Sequence, residues 1–134
     1  MEKALLLVSG GIDSPVAGFV AKEKFDLSAI HFSQEPFTDS SPEEKSLAAA
    51  KKLGLAELIV IEAGKELQFI ADNTYREYYF VLMKIFFMKV SEAIAKQKGI
   101  NYLVTGESLG QVSSQTMNNL ETINSQVGIE ILRP

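Results

Sequence analysis

Apolar positions along the chain fall into two kinds of run that alternate. Short, nearly unbroken aliphatic runs occur at "ALLLVS" (4–9), "LSAIHF" (27–32), "AELIVIEA" (56–63), "INYLVTGE" (100–107) and "IEILRP" (129–134). Runs of this length read as strands, the first of them (4–9) buried on both faces. Between them, apolar residues recur at helical spacing. Pro15 suits a first turn, with "VAGFVAKEK" behind it. Ser41-Pro42-Glu43-Glu44 reads as an N-cap, a first-turn proline and acids that favour the helix dipole; this helix runs to Lys51-Lys52 and stops near Gly54. A long helical region is predicted to start between Gly64 and Asn73 and to end at Gly99. One of its stripes carries Tyr79, Leu82, Met83, Phe86, Val90, Ala93 and Ile94, and a second carries Tyr78, Val81, Ile85 and Met88. A polar helix or helix-loop segment is predicted within 108–128.

Five strands alternating with helices predict an α/β fold with a five-stranded parallel sheet and right-handed crossovers. The length of 134 residues suits a single domain. Open sheets of this kind bind ligands at the carboxyl ends of their strands, where the strand order reverses. The glycine turn at 10–11 and the "TGES" turn at 105–108 both fall at such ends, and are expected to lie side by side.

The helix apolar on two sides must be deeply buried or meet another subunit. A homodimer is expected, with residues such as Tyr78, Phe87 or Met88 in the contact. The chain has no cysteine, which excludes disulfides, thiolate metal sites and a cysteine nucleophile within it. Its single histidine, His31, argues against a histidine-based zinc site, and no protein-held metal centre is predicted. The net charge of −4 places any attraction for nucleic acid in a local patch or a separate domain. The apolar run at the N-terminus is too short for a signal peptide. The richest apolar stretch, Tyr78 to Val90, contains Lys84 and Lys89 and falls far short of the ~20 apolar residues a membrane span needs. A cytoplasmic protein is expected.

The turn "SGGIDS" (9–14) carries the chemistry. Gly10 and Gly11 lack Cβ atoms, so a ligand can approach their backbone closely. Amides between a strand end and a helix start bind phosphate well. Ser9 and Ser14 add hydroxyl donors. Asp13 suits such a place if it caps the helix or helps to hold Mg²⁺. The lysine-containing phosphate loop and the G-x-G-x-x-G dinucleotide fingerprint are both absent. Taken alone, the turn also suits an ordinary strand-to-helix junction. The second polar stretch, "VTGESLGQVSSQTMNNLETI" (104–123), likewise suits a solvated helix with a capped start.

Together these segments resemble the PP-loop domain of the tRNA 4-thiouridine synthetase family, tRNA sulfurtransferases that also serve thiamine biosynthesis. Ser9 to Ala17 match the family's S-G-G-I-D-S-P-V-A segment, and Thr105 to Thr116 match T-G-E-[SA]-L-G-Q-V-x-S-Q-T. His31-Phe32 and Pro36-Phe37-Thr38 match its H-F and P-[FY]-T positions, and "ILRP" matches its final strand. The resemblance covers essentially the whole chain. It implies a Rossmann-like three-layer sandwich of the PP-loop, or adenine nucleotide alpha hydrolase-like, kind.

The resemblance also implies ATP as ligand, with Mg²⁺. Leu6, Leu7, His31, Phe32, Lys84, Gly106 and Gln115 would line the ATP site, and Ser9, Gly10, Gly11, Asp13 and Ser14 would hold the pyrophosphate end. Asp13 and Ser14 are the residues expected to act in catalysis. Without the resemblance, His31 reads as a satisfied structural histidine and Lys84 as a lysine snorkelling from an apolar helix. The implied reaction is adenylation of a tRNA uridine with release of pyrophosphate, followed by sulfur transfer from a persulfide-carrying donor protein. Relatives carry an RNA-binding region before this domain and further chain after "ILRP". Residues 1–134 are therefore expected to be one ATP-binding domain lacking both. Two other readings stand beside this one: a PP-loop enzyme adenylating a small substrate, and an ATP-binding module without turnover.

Overall fold

The computed structural model describes residues 1–9, 13–106 and 117–134, and of these the side chains of 13 and 117–120 are left aside. The elements follow in the order β1 (Glu2–Leu7), α1 (Asp13–Ala21), β2 (Phe25–Ser33), α2 (Ser41–Lys52), β3 (Leu58–Glu62), α3 (Gly64–Asn73), α4 (Arg76–Lys98), β4 (Tyr102–Val104), α5 (Met117–Ser125) and β5 (Glu130–Leu132). The five strands form one sheet in the order β3-β2-β1-β4-β5, and every pairing is parallel. The expected α/β architecture is therefore present.

The chain first adds strands on one side of β1 and then crosses to the other side. A fixed crossover hand puts the helices of the two halves on opposite faces. Side-chain alternation in the strands shows this directly. Ala4, Leu6 and Val8 of the β1 segment pack with Ala17 and Ala21 of α1 and with Leu27 and Ala29 of β2. Leu5, Ile30 and Phe32 pack on the other face, with Leu67 of α3, Phe87, Met88 and Ala95 of α4, and Ile123 of α5. Strand β1 is thus covered on both sides, and Ala4, Leu5 and Leu6 are fully buried.

α1 lies close to the sheet at Gly18, where a Cβ would come within 2.7 Å of Leu6 Cδ2 and 2.8 Å of Leu53 Cδ1. The absent side chain lets the helix settle onto Leu6. α4 ends as expected at Gly99, whose φ of 69° stops the helix in the left-handed region. α2 begins at Ser41, so the capping position falls one residue earlier than predicted. The Asp39 carboxylate, not Ser41, takes the exposed first-turn amide: Ser41 N–H donates to Asp39 Oδ1 at 2.9 Å.

Two expectations are corrected. The long helical region is two helices, since Thr74 (φ −141°, ψ 163°) and Tyr75 (φ −71°, ψ 145°) are extended and separate α3 from α4. The buried residues of α4 are Phe87, Met88, Ser91 and Ala95, and Val81, Met83, Ile85, Phe86, Val90 and Ile94 pack partly buried against the same core. Phe87 and Met88 are buried within the subunit and do not form a contact between subunits, whereas Tyr78 is exposed. Among the described residues, no helix is long and apolar enough to cross a membrane.

Candidate functional site

β1 is flanked by β2 on one side and β4 on the other, so the strand order reverses between β1 and β4. The register sets Leu6 beside Val104, which brings Ser9 and Gly106, just past the two strand ends, to the same edge of the sheet. The Ser9 turn and the Thr105-Gly106 turn are therefore neighbours, as their sequence positions led one to expect. A cavity of about 230 Å³ opens there. Its lining includes Leu7, Val8, Ser9 and Ser14 from the first turn, His31 and Phe32 from β2, Lys84 and Phe87 from α4, and Thr105 and Gly106 after β4.

Most of the candidate residues thus converge. Leu6 does not: its side chain is fully buried on the α1 face against Gly18, outside the cavity lining. The side chain helps to seat α1, and the expected contact of Leu6 with the nucleotide is one of its backbone. Gly10, Gly11 and Gln115 lie outside the described residues, as does the Asp13 side chain, although Asp13 opens α1 directly behind the turn. The segments 10–12 and 107–116 both continue from residues that line the cavity. Its volume is somewhat below the roughly 300–1,000 Å³ of complete ligand pockets.

Each side chain reaches the cavity for a local reason. Lys84 lies one turn before Phe87 and Met88 on α4, on the face that buries those two, and lines the cavity while partly buried. Phe32 stacks on Phe87 with ring centroids 4.3 Å apart and planes 18° apart, giving the cavity an apolar wall. Ser14 is buried at the start of α1, and Ser9 N–H faces its Oγ at 3.4 Å. His31 is buried, with Nδ1 2.8 Å from the Val8 carbonyl oxygen.

A second wall was not named residue by residue from the sequence. It consists of Ser33, Gln34, Thr38, Asp39, Pro42 and Glu43, the segment that leads from β2 into α2. Its sequence signals were the polar, proline-bearing loop, the Pro36-Phe37-Thr38 match and the first-turn acids. The Asp39 carboxyl is held below its ordinary range by the hydrogen bond from the Ser41 backbone, so this wall carries an ionised carboxylate.

The loop docks at Gly64, where a Cβ would overlap the Glu35 carbonyl oxygen, while Ala63 N–H donates to Ser33 O at 2.9 Å. Gly64→Ala must displace backbone, since nothing flexible lies in the way. It is expected to destabilise the protein by about 1–3 kcal/mol and to weaken binding of any ligand held by the Gln34–Glu43 wall. Thermal melts and ligand titration of this variant check both effects. Unchanged values would show that the loop is free to move away.

Comparison with known proteins bears on what this cavity holds. The family model for thiamine biosynthesis protein (ThiI) matches residues 1–134. The chain belongs to the ThiI family. A protein of Brevibacillus brevis named "Probable tRNA sulfurtransferase" is 42% identical over 98% of this chain and 34% of its own length. A protein of the same name from Alkaliphilus oremlandii is 43% identical over 98% of this chain and 35% of its own. The chain therefore spans about a third of the length of these relatives. Among solved structures, a 4-thiouridine synthetase in complex with RNA and with bound ATP superposes with a TM-score of 0.91 at 32% identity, covering 99% of this chain and 36% of that one. The fold of the described residues is thus that of a 4-thiouridine synthetase.

Proposed function

We propose that residues 1–134 form one PP-loop ATP-binding domain that adenylates a tRNA uridine, so that sulfur transfer can give 4-thiouridine. The observation that carries this reading is the convergence of Ser9, Ser14, Lys84 and Gly106 on one cavity at the strand-order reversal. The ATP and RNA bound by the 4-thiouridine synthetase of matching fold support it.

ATP is a substrate here. Its phosphates suit the first turn, where Ser9, Gly10, Gly11 and Ser14 offer backbone and hydroxyl donors ahead of the α1 N-terminus, with Lys84 as the cation of the cavity. The nucleoside suits the cavity between Leu7, His31, Phe32 and Gly106, with Gln115 from the second polar segment. The uridine carbonyl oxygen attacks the α-phosphorus and pyrophosphate leaves with the electron pair of the broken P–O bond. The terminal sulfur of a persulfide on a separate donor protein then attacks the ring carbon that bears this oxygen, and AMP leaves with the oxygen; a further thiol from outside this cysteine-free domain attacks the inner sulfur, the S–S bond breaks with its electron pair on the uridine sulfur, and a disulfide is left behind. Positive charge and oriented donors act where the leaving pyrophosphate gains charge.

Mg²⁺ is ordinarily held by one or two carboxylates together with substrate phosphates. Asp13 at the start of α1 and the ionised Asp39 on the cavity wall fit that donor set, and the ion would supply charge neutralisation at the phosphates. Asp13 and Ser14 are the residues assigned to catalysis. With a net charge of −4, the domain engages tRNA together with a separate RNA-binding domain, and this reading places it in the cytoplasm.

Pyrophosphate release from ATP, measured with and without tRNA and with the RNA-binding domain supplied, tests the reading. Release that requires tRNA is the expected result. Release driven instead by a small carbonyl or carboxylate compound would assign another adenylating activity, and ATP binding with no turnover under any condition would leave a binding module.

The homodimer is proposed through the exposed aromatic residues at the start of α4, where Tyr75 just before the helix and Tyr78 and Phe80 in its first turns are each more than half exposed. Sedimentation at tens of micromolar should show a dimer that Tyr78→Glu dissociates without unfolding. A chain that stays monomeric there contradicts it.

A further inference from the structure

His31 sits at the carboxyl end of β2 with its side chain on the α1–α2 face of the sheet, 3% exposed. Two acceptors surround its Nδ1. The Val8 carbonyl oxygen is 2.8 Å away and Ser46 Oγ is 3.1 Å away. A carbonyl oxygen only accepts, so Nδ1 carries the proton. The Ser46 hydroxyl spends its own proton on the Pro42 carbonyl at 2.8 Å, which leaves its lone pairs to face Nδ1–H. Ser46 is fully buried. The set is self-consistent with Nδ1–H shared between Val8 O and Ser46 Oγ.

Val8 is the residue at which the chain leaves β1 for the phosphate-binding turn, and its own N–H still donates to Ile30 O at 2.9 Å. In a trans peptide the C=O and the following N–H point in opposite directions. Holding the Val8 carbonyl toward His31 therefore turns Ser9 N–H the other way, toward Ser14 and the cavity. Ser14 Oγ holds that amide only loosely, at 3.4 Å. The same imidazole reaches through Ser46 to the first turn of α2, the end of the segment that supplies Gln34, Thr38, Asp39 and Glu43 to the opposite wall.

We infer that His31 is a positioning residue: its Nδ1–H, held by Ser46, fixes the Val8–Ser9 peptide so that the first amide of the turn is aimed at the phosphates, and it locks the turn to the wall formed before α2. This rests on the proposed ATP site. It gives the ring a task carried by Nδ1, distinct from any contact of Nε2 with nucleotide. The amide of asparagine places an N–H near the position of histidine Nδ1, whereas that of glutamine places one near Nε2, so the pair of variants separates the two tasks.

The test compares wild type, His31→Asn, His31→Gln and Ser46→Ala. ATP affinity is measured by calorimetry, with the Ser9 amide and the ring nitrogens of His31 followed by ¹⁵N NMR. Wild type is expected to show a protonated Nδ1. His31→Gln should bind ATP about tenfold more weakly than wild type, with a displaced Ser9 amide resonance, and His31→Asn should recover at least about half of that loss on a logarithmic scale with a near-native resonance. Ser46→Ala should shift the Nδ1 resonance and weaken ATP binding less than His31→Gln does. An Nε2–H tautomer, or glutamine recovering better than asparagine, overturns the inference. If wild type does not bind ATP, the ATP reading fails, while the tautomer and the Ser9 resonance still decide whether His31 fixes the peptide.

Discussion

Replacing Lys84 by alanine is expected to weaken ATP binding about 10–100-fold while leaving adenosine binding within about twofold. The contrast follows from where the ammonium lies. Lys84 is partly buried on α4 and lines the cavity that also contains Ser9 and Ser14. A charge-assisted hydrogen bond to phosphate is stronger than a neutral one, and a partly enclosed site screens it less than water does. Adenosine carries no phosphate and should not register the loss. The effect on turnover should be larger, about 10²–10³-fold in pyrophosphate release, because charge on the leaving group grows toward the transition state. In the same assay Asp13→Ala should abolish release with the fold retained. Calorimetry with ATP and adenosine in parallel decides the Lys84 assignment. An equal loss for both ligands would make Lys84 a packing residue, and unchanged turnover in Asp13→Ala would remove the first turn from the chemistry.

Phe87→Ala is expected to cost about 3–5 kcal/mol of stability, lowering the melting temperature by roughly 10–20 °C for a chain of this size. The ring is 9% exposed and stacked on Phe32, inside the cluster that joins β1, β2, α3, α4 and α5. Truncation leaves a void between the sheet and α4, and the sheet cannot collapse into it because β1 and β2 are pinned from the other face. The void also opens into the nucleotide cavity, so adenosine affinity should fall together with stability. Phe87→Asp should unfold the subunit outright, an outcome opposite to that of a residue in a contact between subunits. Denaturant titration checks this. A loss below about 1 kcal/mol would mean that Phe87 is not a core residue.

The chain's own pattern determined the architecture. Five continuous aliphatic runs cannot be solvated as helix faces, and alternation with helical spacing leaves a parallel sheet covered on both sides as the way to bury them. The first turn stands out in the sequence for a related reason. A glycine pair between a buried strand and a helix start has few structural uses, and binding an anion is one of them. The resemblance added Lys84, Gly106, Gln115, His31 and Phe32, which no local periodicity singles out.

Packing over long separations decided the rest. Thr74 and Tyr75 carry neither glycine nor proline, so nothing local announces that the chain turns there to fold α3 back beside α4. α4 offers apolar side chains around most of its circumference. Which of them become core is fixed by how the helix lies on β1 and β4, and that orientation buries Phe87 and Met88 and leaves Tyr78 and Phe80 outside. Leu6 and Leu7 are alike in sequence, yet strand alternation sends one under α1 and the other to the cavity. Ser46 looked like one small residue in a polar helix, and only the crossing of α2 over the end of β2 brings it to His31, 15 residues away. A sequence records which residues prefer to be buried or to bond. The partner each one finds across the sheet depends on the directions in which the elements cross, and that is settled only when all of them pack at once.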